Sequence, residues 1–223
     1  MTGSTNADSA AEVTLADALG VVTDAQSYRN ILYLVLAFPL GLAYYVVLVT
    51  GFALGLGLSV LVVGLGILLG TVVGLRYIAA FERKLANGLL GTSIPEPNDV
   101  ERDGDGIVAT ARAYLQAGST WKGLAFVMLK FWLGILAFVL LVSLLGAGIE
   151  LALLPLVPEG MFNVQVVNWT VAESFATSSQ RLLAVPAGLV LTLVAFHVLN
   201  AVADVNASIA SSLLGPSDEQ SDR

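Results

Sequence analysis

Apolar residues run through this chain in blocks too long and too continuous for the alternating faces of a soluble domain. Four such blocks, near 31–50, 54–78, 124–149 and 182–203, are almost free of charge. A hydrocarbon core of about 30 Å needs roughly 20 helical residues to cross it, and each block supplies them. No water is present there to satisfy backbone N–H and C=O groups, so a helix must satisfy them internally. The pattern predicts an all-α membrane protein with four transmembrane helices. Between the third and fourth blocks, alternation at Phe162, Val164 and Val166 predicts a short strand or hairpin. A brief helix is expected near 171–176.

The first and third blocks are near copies. Residues 29–49 read RNILYLVLAFPLGLAYYVVLV and residues 122–142 read KGLAFVMLKFWLGILAFVLLV, aligned without a gap at an offset of 93 (122 − 29). Each opens on a basic residue, and Phe38, Leu40 and Gly41 recur as Phe131, Leu133 and Gly134. A fainter echo at an offset of 124 relates Ala79, Ala86 and Gly91 to Ala203, Ala210 and Gly215. The chain is therefore expected to be a tandem two-helix repeat. Repeat 1 covers about 29–91, a linker 92–121, and repeat 2 about 122–215, so the membrane domain runs over 28–215. Acidic tails, 1–27 and 216–223, flank it. Same-facing copies imply a pseudo-twofold axis along the membrane normal.

Charge sets the orientation. Arg29, Arg76, Arg83, Lys84, Arg102, Arg112 and Lys122 flank one side of the four-span arrangement, and Arg181 stands alone on the other. Basic loops stay in the cytoplasm, so a multi-pass protein of the cell membrane with both termini inside is expected. The first two helices should turn around Thr50 and Gly51. Residues 80–91 should continue as an amphipathic helix on the cytoplasmic interface, ended by Gly91 and Pro95. A mobile acidic loop should follow over 92–106. The opening 28 residues lack the basic start and apolar core of a cleavable signal. Net charge −7 disfavours nucleic acid as a partner, and the absence of cysteine excludes disulfides and thiol chemistry.

The run from Tyr33 through Phe38, Pro39, Leu40, Gly41, Tyr44 and Tyr45 to Gly51 resembles a known family of membrane domains, called "putative sensor". So do Phe81 through Ala86, Leu89 to Gly91, and the stretch from Trp121 and Lys122 to Leu133 and Gly134. The resemblance covers roughly 27–214. It implies four membrane helices and a place in signalling, often amino-terminal to a histidine kinase module and sometimes free-standing. It carries no ligand set. The chain ends soon after its fourth span, which leads us to expect that any output passes to a separate protein.

Candidate chemistry is sparse. Lys130 lies eight residues past Lys122, roughly 12 Å deeper along a helix. It either meets an anionic ligand or lipid head group, or snorkels back to the cytoplasmic interface, and snorkelling is favoured. His197 is the single histidine. It is a possible pH sensor, though a hydrogen bond to Asn200, Thr192 or a neighbouring helix explains it more simply. Pro39 faces Trp132 in the repeat alignment, so with Tyr44 and Tyr45 these aromatics either line a small pocket or merely pack. Gly66, Gly70 and Gly74 share one helix face, either a dimer seam or, as preferred, a packing seam within one chain. Asn168 begins an Asn-x-Thr acceptor on the expected outside loop. Asp103 and Asp105 lack the remaining ligands of a calcium loop.

No nucleophile–base pair, phosphate loop, metal set or cofactor motif emerges, and carboxylates are not expected inside the membrane. The expectation is a non-enzymatic membrane sensor or signalling-input module relaying an unknown stimulus to a separate protein partner. Membrane lipid surrounds it, and it is a possible homo-oligomer. The alternative is an accessory or scaffold subunit of a transporter or other membrane complex.

Overall fold

The computed structural model describes residues 20–100, 106–156, 165–166, 169–170 and 177–216. The helices are α1 (Ala25–Gly57), α2 (Val62–Leu89), α3 (Ile107–Gln116), α4 (Gly118–Leu140), α5 (Ala147–Leu153) and α6 (Ser178–Leu214). A π-helical turn, Leu141–Gly146, joins α4 to α5 without a break. Two-residue strands β1 (Gln165–Val166) and β2 (Trp169–Thr170) pair antiparallel. Four helical segments, of 33, 28, 36 and 34 residues, are long and apolar enough to cross a membrane. The protein is an all-α, multi-pass membrane protein. The expected hairpin is present at 165–170, whereas Phe162, Val164, Asn168, residues 171–176, Asp103 and Asp105 lie outside the described residues.

Each span outlasts its apolar block. Hydropathy marks the part that suits lipid, but the helix ends only where its hydrogen bonds can be satisfied another way. The turn between the first two helices is thus not at Thr50 and Gly51. Helix α1 continues to Gly57, and residues 58–61 make the turn, with Leu61 N–H bonding Leu58 O and Gly64 N–H bonding Leu61 O. Gly51 and Gly55 serve close packing instead. A Cβ on Gly51 would overlap Thr71, and one on Gly55 would lie 2.6 Å from Leu68. The two pairs run in opposite directions along the helices, so α1 and α2 form an antiparallel hairpin. Helix α2 continues through residues 80–89 to its end at Leu89, and Gly91, just past the Leu90 cap, has a φ of +68° that suits glycine.

The chain divides into two compact units, each drawing on both halves of the sequence. The larger comprises Leu32–Leu136 and Ala203–Arg223. Its core includes Tyr33, Leu34, Ala37, Leu75, Phe126, Val127 and Ala210, all nearly inaccessible. In this unit α1 and α4 touch through backbone. A Cβ on Gly41 would lie 3.0 Å from Lys130 O, and one on Gly134 would lie 2.7 Å from Ala37 O. Residues 37 and 41 correspond to 130 and 134 in the repeat alignment, so the two contacts are reciprocal, as in an isologous interface.

The loop after α2 is pinned rather than mobile over its described part. The Asn87 side chain accepts from Ile94 N and Thr92 Oγ1 and donates to Ile94 O. Asp99 accepts from both the backbone N–H and the hydroxyl of Ser119, each at 2.6 Å, capping the start of α4. Burial pushes the Asp99 carboxyl up, but the Ser119 bonds and nearby Arg76 outweigh it and hold the group below the usual carboxylate range.

The smaller unit comprises Met1–Ile31 and Ala137–Val202. Ala147, Leu151, Leu154 and Ala184 form its apolar centre. Gly188 packs directly on the backbone of Leu151 and Ala152, and Gly148 on that of Thr192. Asn200 donates to Ser27 Oγ and accepts from Asn30, which also accepts from Gln26.

Candidate functional site

Lys130 does not snorkel to the interface. Its side chain is fully buried, and Nζ donates to Glu82 Oε2 at 2.9 Å and to the Tyr33 hydroxyl at 2.7 Å. The ammonium also lies 3.8 Å from the centre of the Tyr33 ring and 5.9 Å from that of Phe126. A lone lysine at that depth would cost about 2.5–3.5 kcal/mol on insertion scales. A carboxylate, a phenol and two ring faces offset that cost more fully than a stretched stem can. Glu82 is equally inaccessible. The buried core of the helices therefore holds a carboxylate beside Lys130, where the sequence suggested none.

Glu82 escaped notice because Arg83 and Lys84 follow it, giving the stretch the look of an interfacial helix. Its register tells otherwise. The buried positions of α2 include Val72, Leu75, Glu82 and Ala86, spaced as one helical face, so Glu82 occupies a core position. Tyr33 escaped because an aromatic near a helix start reads as an interfacial anchor.

The cluster is not fully satisfied. Glu82 Oε1 and the Tyr44 hydroxyl are both buried and lack a hydrogen-bond partner among the described residues. Such unspent capacity in a low-dielectric interior makes the site sensitive to small displacements.

The remaining candidates separate. Tyr45 stacks on Phe131 at 4.4 Å, and Phe131 meets Trp132 edge-on at 5.3 Å. Trp132 is 65% exposed and Pro39 lies on an exposed face, so these aromatics pack in pairs and do not enclose a cavity. His197 is exposed and its Nδ1 bonds Leu193 O in its own helix, because Asn200 is committed to Ser27 and Asn30. Gly66, Gly70 and Gly74 meet nothing within 4 Å, so they form no packing seam inside the chain. Close packing of the hairpin uses the glycines of α1 instead. Asn168 lies outside the described residues.

The family model named Sensor, described as "Putative sensor", matches residues 33–214. The chain belongs to this family. The match begins at Tyr33 of the buried cluster and takes in Tyr44, Glu82 and Lys130. No curated protein and no solved structure matches the chain.

Proposed function

We propose that this sensor-family membrane domain is a non-enzymatic signalling-input module whose buried Lys130–Glu82 pair joins α1, α2 and α4 into a displaceable contact. The observation that carries the reading is the pairing of full burial with incomplete satisfaction. Lys130 has its partners, whereas Glu82 Oε1 and Tyr44 retain capacity for a second arrangement. A switch needs such an element with two discrete packings. A stimulus that shifts α1 would exchange Tyr44 into the cluster. The shift would pass along α2 to the Asn87-clasped loop, where a separate cytoplasmic or membrane partner would read it. Both termini lie in the cytoplasm in this proposal, on the strength of the one-sided basic residues.

Crosslinking from the native membrane, followed by identification of captured proteins, tests the assignment. A kinase or transcriptional regulator should be recovered, and Lys130→Met should change its yield at equal expression. Consistent recovery of only a transport ATPase or permease, unaffected by Lys130→Met, would overturn it in favour of an accessory transport subunit.

A further inference from the structure

A second polar site lies in the larger unit, outside the lysine cluster. A cleft of about 300 Å³ is lined by Arg76, Tyr77, Arg83, Glu96, Ser119 and the end of α6. Arg76 and Arg83 are two helical turns apart on α2 and so project from the same face. Arg76 is held in place. Its Nη1 donates to Ser119 Oγ and Thr120 Oγ1, each at 2.9 Å, and its guanidinium lies 5.1 Å from the centre of the Tyr114 ring. A guanidinium has five N–H donors, so those two bonds leave donors for a further acceptor.

Arg83 is the more telling residue. Its side chain is only 9% exposed, yet its counter-ion, Glu96, is 76% exposed and comes from the loop. One bond of 3.1 Å joins them. A guanidinium buried to that degree needs an anion beside it, whereas an exposed carboxylate loses little by returning to water. Asp99, a second acid in the described part of the loop, has both oxygens engaged by Ser119. With Glu96 swung out, the cleft presents Arg76, Arg83, Tyr77 and Tyr114, and Asp99 is held behind Ser119 outside its lining. That arrangement suits a tetrahedral oxyanion held in forked hydrogen bonds.

We propose that this cleft binds a phosphate-class anion, as a lipid head group or as free phosphate, and that Glu96 is the internal stand-in it displaces. Leu213 and Leu214 form part of the wall. Occupancy therefore bears at once on the loop after α2 and on the end of α6, the two segments that leave the membrane after each repeat.

The purified full chain would be titrated in detergent, by native mass spectrometry with phosphatidylglycerol or phosphatidylcholine and by calorimetry with inorganic phosphate. Glu96→Gln, at an exposed site, removes the competitor and should tighten binding by up to about fivefold. Arg83→Gln should weaken it about tenfold or more. Binding of phosphatidylglycerol alone identifies a lipid site, and binding of inorganic phosphate as well identifies the phosphate group as sufficient. If neither ligand binds better than phosphatidylcholine, or if a correctly folded Glu96→Gln variant binds no more tightly than the parent, the proposal fails.

Discussion

Replacing Lys130 with methionine removes the ammonium and keeps the length of the side chain. It leaves Glu82, wholly inaccessible, beside a phenol and apolar groups. Two unit charges 2.9 Å apart attract by about 6 kcal/mol at an effective dielectric of 20. That is a gross figure, and the desolvation of both ions opposes it. Removing one member of a buried pair commonly costs about 3–5 kcal/mol, because the other charge is stranded. Lys130→Met and Glu82→Leu should each fall in that range. The double variant strands no charge and leaves only the Tyr33 and Tyr44 hydroxyls short of partners, so it should lie within about 2 kcal/mol of the parent. The diagnostic quantity is therefore the non-additivity, at least about 3 kcal/mol across the cycle. Reversible unfolding in mixed micelles, followed by circular dichroism, measures it. Lys84→Met, at an exposed position on α2, is the control and should change little. If the single variants add to give the double, the two side chains are not paired in the membrane, and the proposed switch loses its central contact.

Two other predictions bear on the packing and the orientation. Gly134→Ala should destabilise the protein by about 1–3 kcal/mol, since its Cβ would lie 2.7 Å from Ala37 O, while Gly70→Ala, with nothing within 4 Å, should unfold in micelles like the parent; equal effects at the two sites would deny the backbone contact of α1 and α4. For the orientation, a single cysteine at Asn98 in this cysteine-free chain should stay unlabelled by an impermeant thiol reagent applied to intact cells and react after lysis, and labelling from outside would invert the assignment.

The spans were legible because the bilayer imposes one dominant constraint, apolar length, and the sequence meets it four times. Helix ends were less legible, since lipid preference and backbone hydrogen bonding stop at different residues. Gly51 read as a turn because glycine ends helices in water, but in a membrane hairpin it more often lets a neighbour approach. Gly66, Gly70 and Gly74 misled for the opposite reason. Their spacing has the form of a contact motif, yet spacing does not say which face a helix turns inward. Lys130 was correctly placed deep in its helix. Its partner was not found, because Glu82 lies 48 residues away and is flanked by Arg83, which does reach the loop. The separation of these two neighbours, one inward and one toward Glu96, is a matter of helical phase that charge counting cannot register.

The repeat supplies its own comparison for why the buried pair is there. At the offset of 93, Lys130 aligns with Ala37, Tyr33 with Phe126 and Tyr44 with Ala137. Three polar members of the cluster thus have apolar counterparts, whereas Glu82, at the offset of 124, aligns with Asn206, which is also polar and buried. Ala37, Phe126 and Ala137 are themselves buried, so the aligned positions pack without polar groups. Replacing a buried pair by apolar residues is often neutral or stabilising, so stability alone is a poor reason for lysine and glutamate at these positions. A polar contact placed at one side of a reciprocal crossing does something that an apolar one does not. It makes the two copies unequal, and it ties that inequality to a hydrogen-bonding geometry that changes abruptly with distance, whereas apolar packing changes smoothly. If the cluster were only a packing solution, exchanging its residues for their aligned counterparts (Lys130→Ala, Tyr33→Phe and Tyr44→Ala, with Glu82→Asn) would yield a folded protein with unaltered partner capture. If it is the switch, that protein folds but its yield of captured partner differs from the parent's, as expected for Lys130→Met.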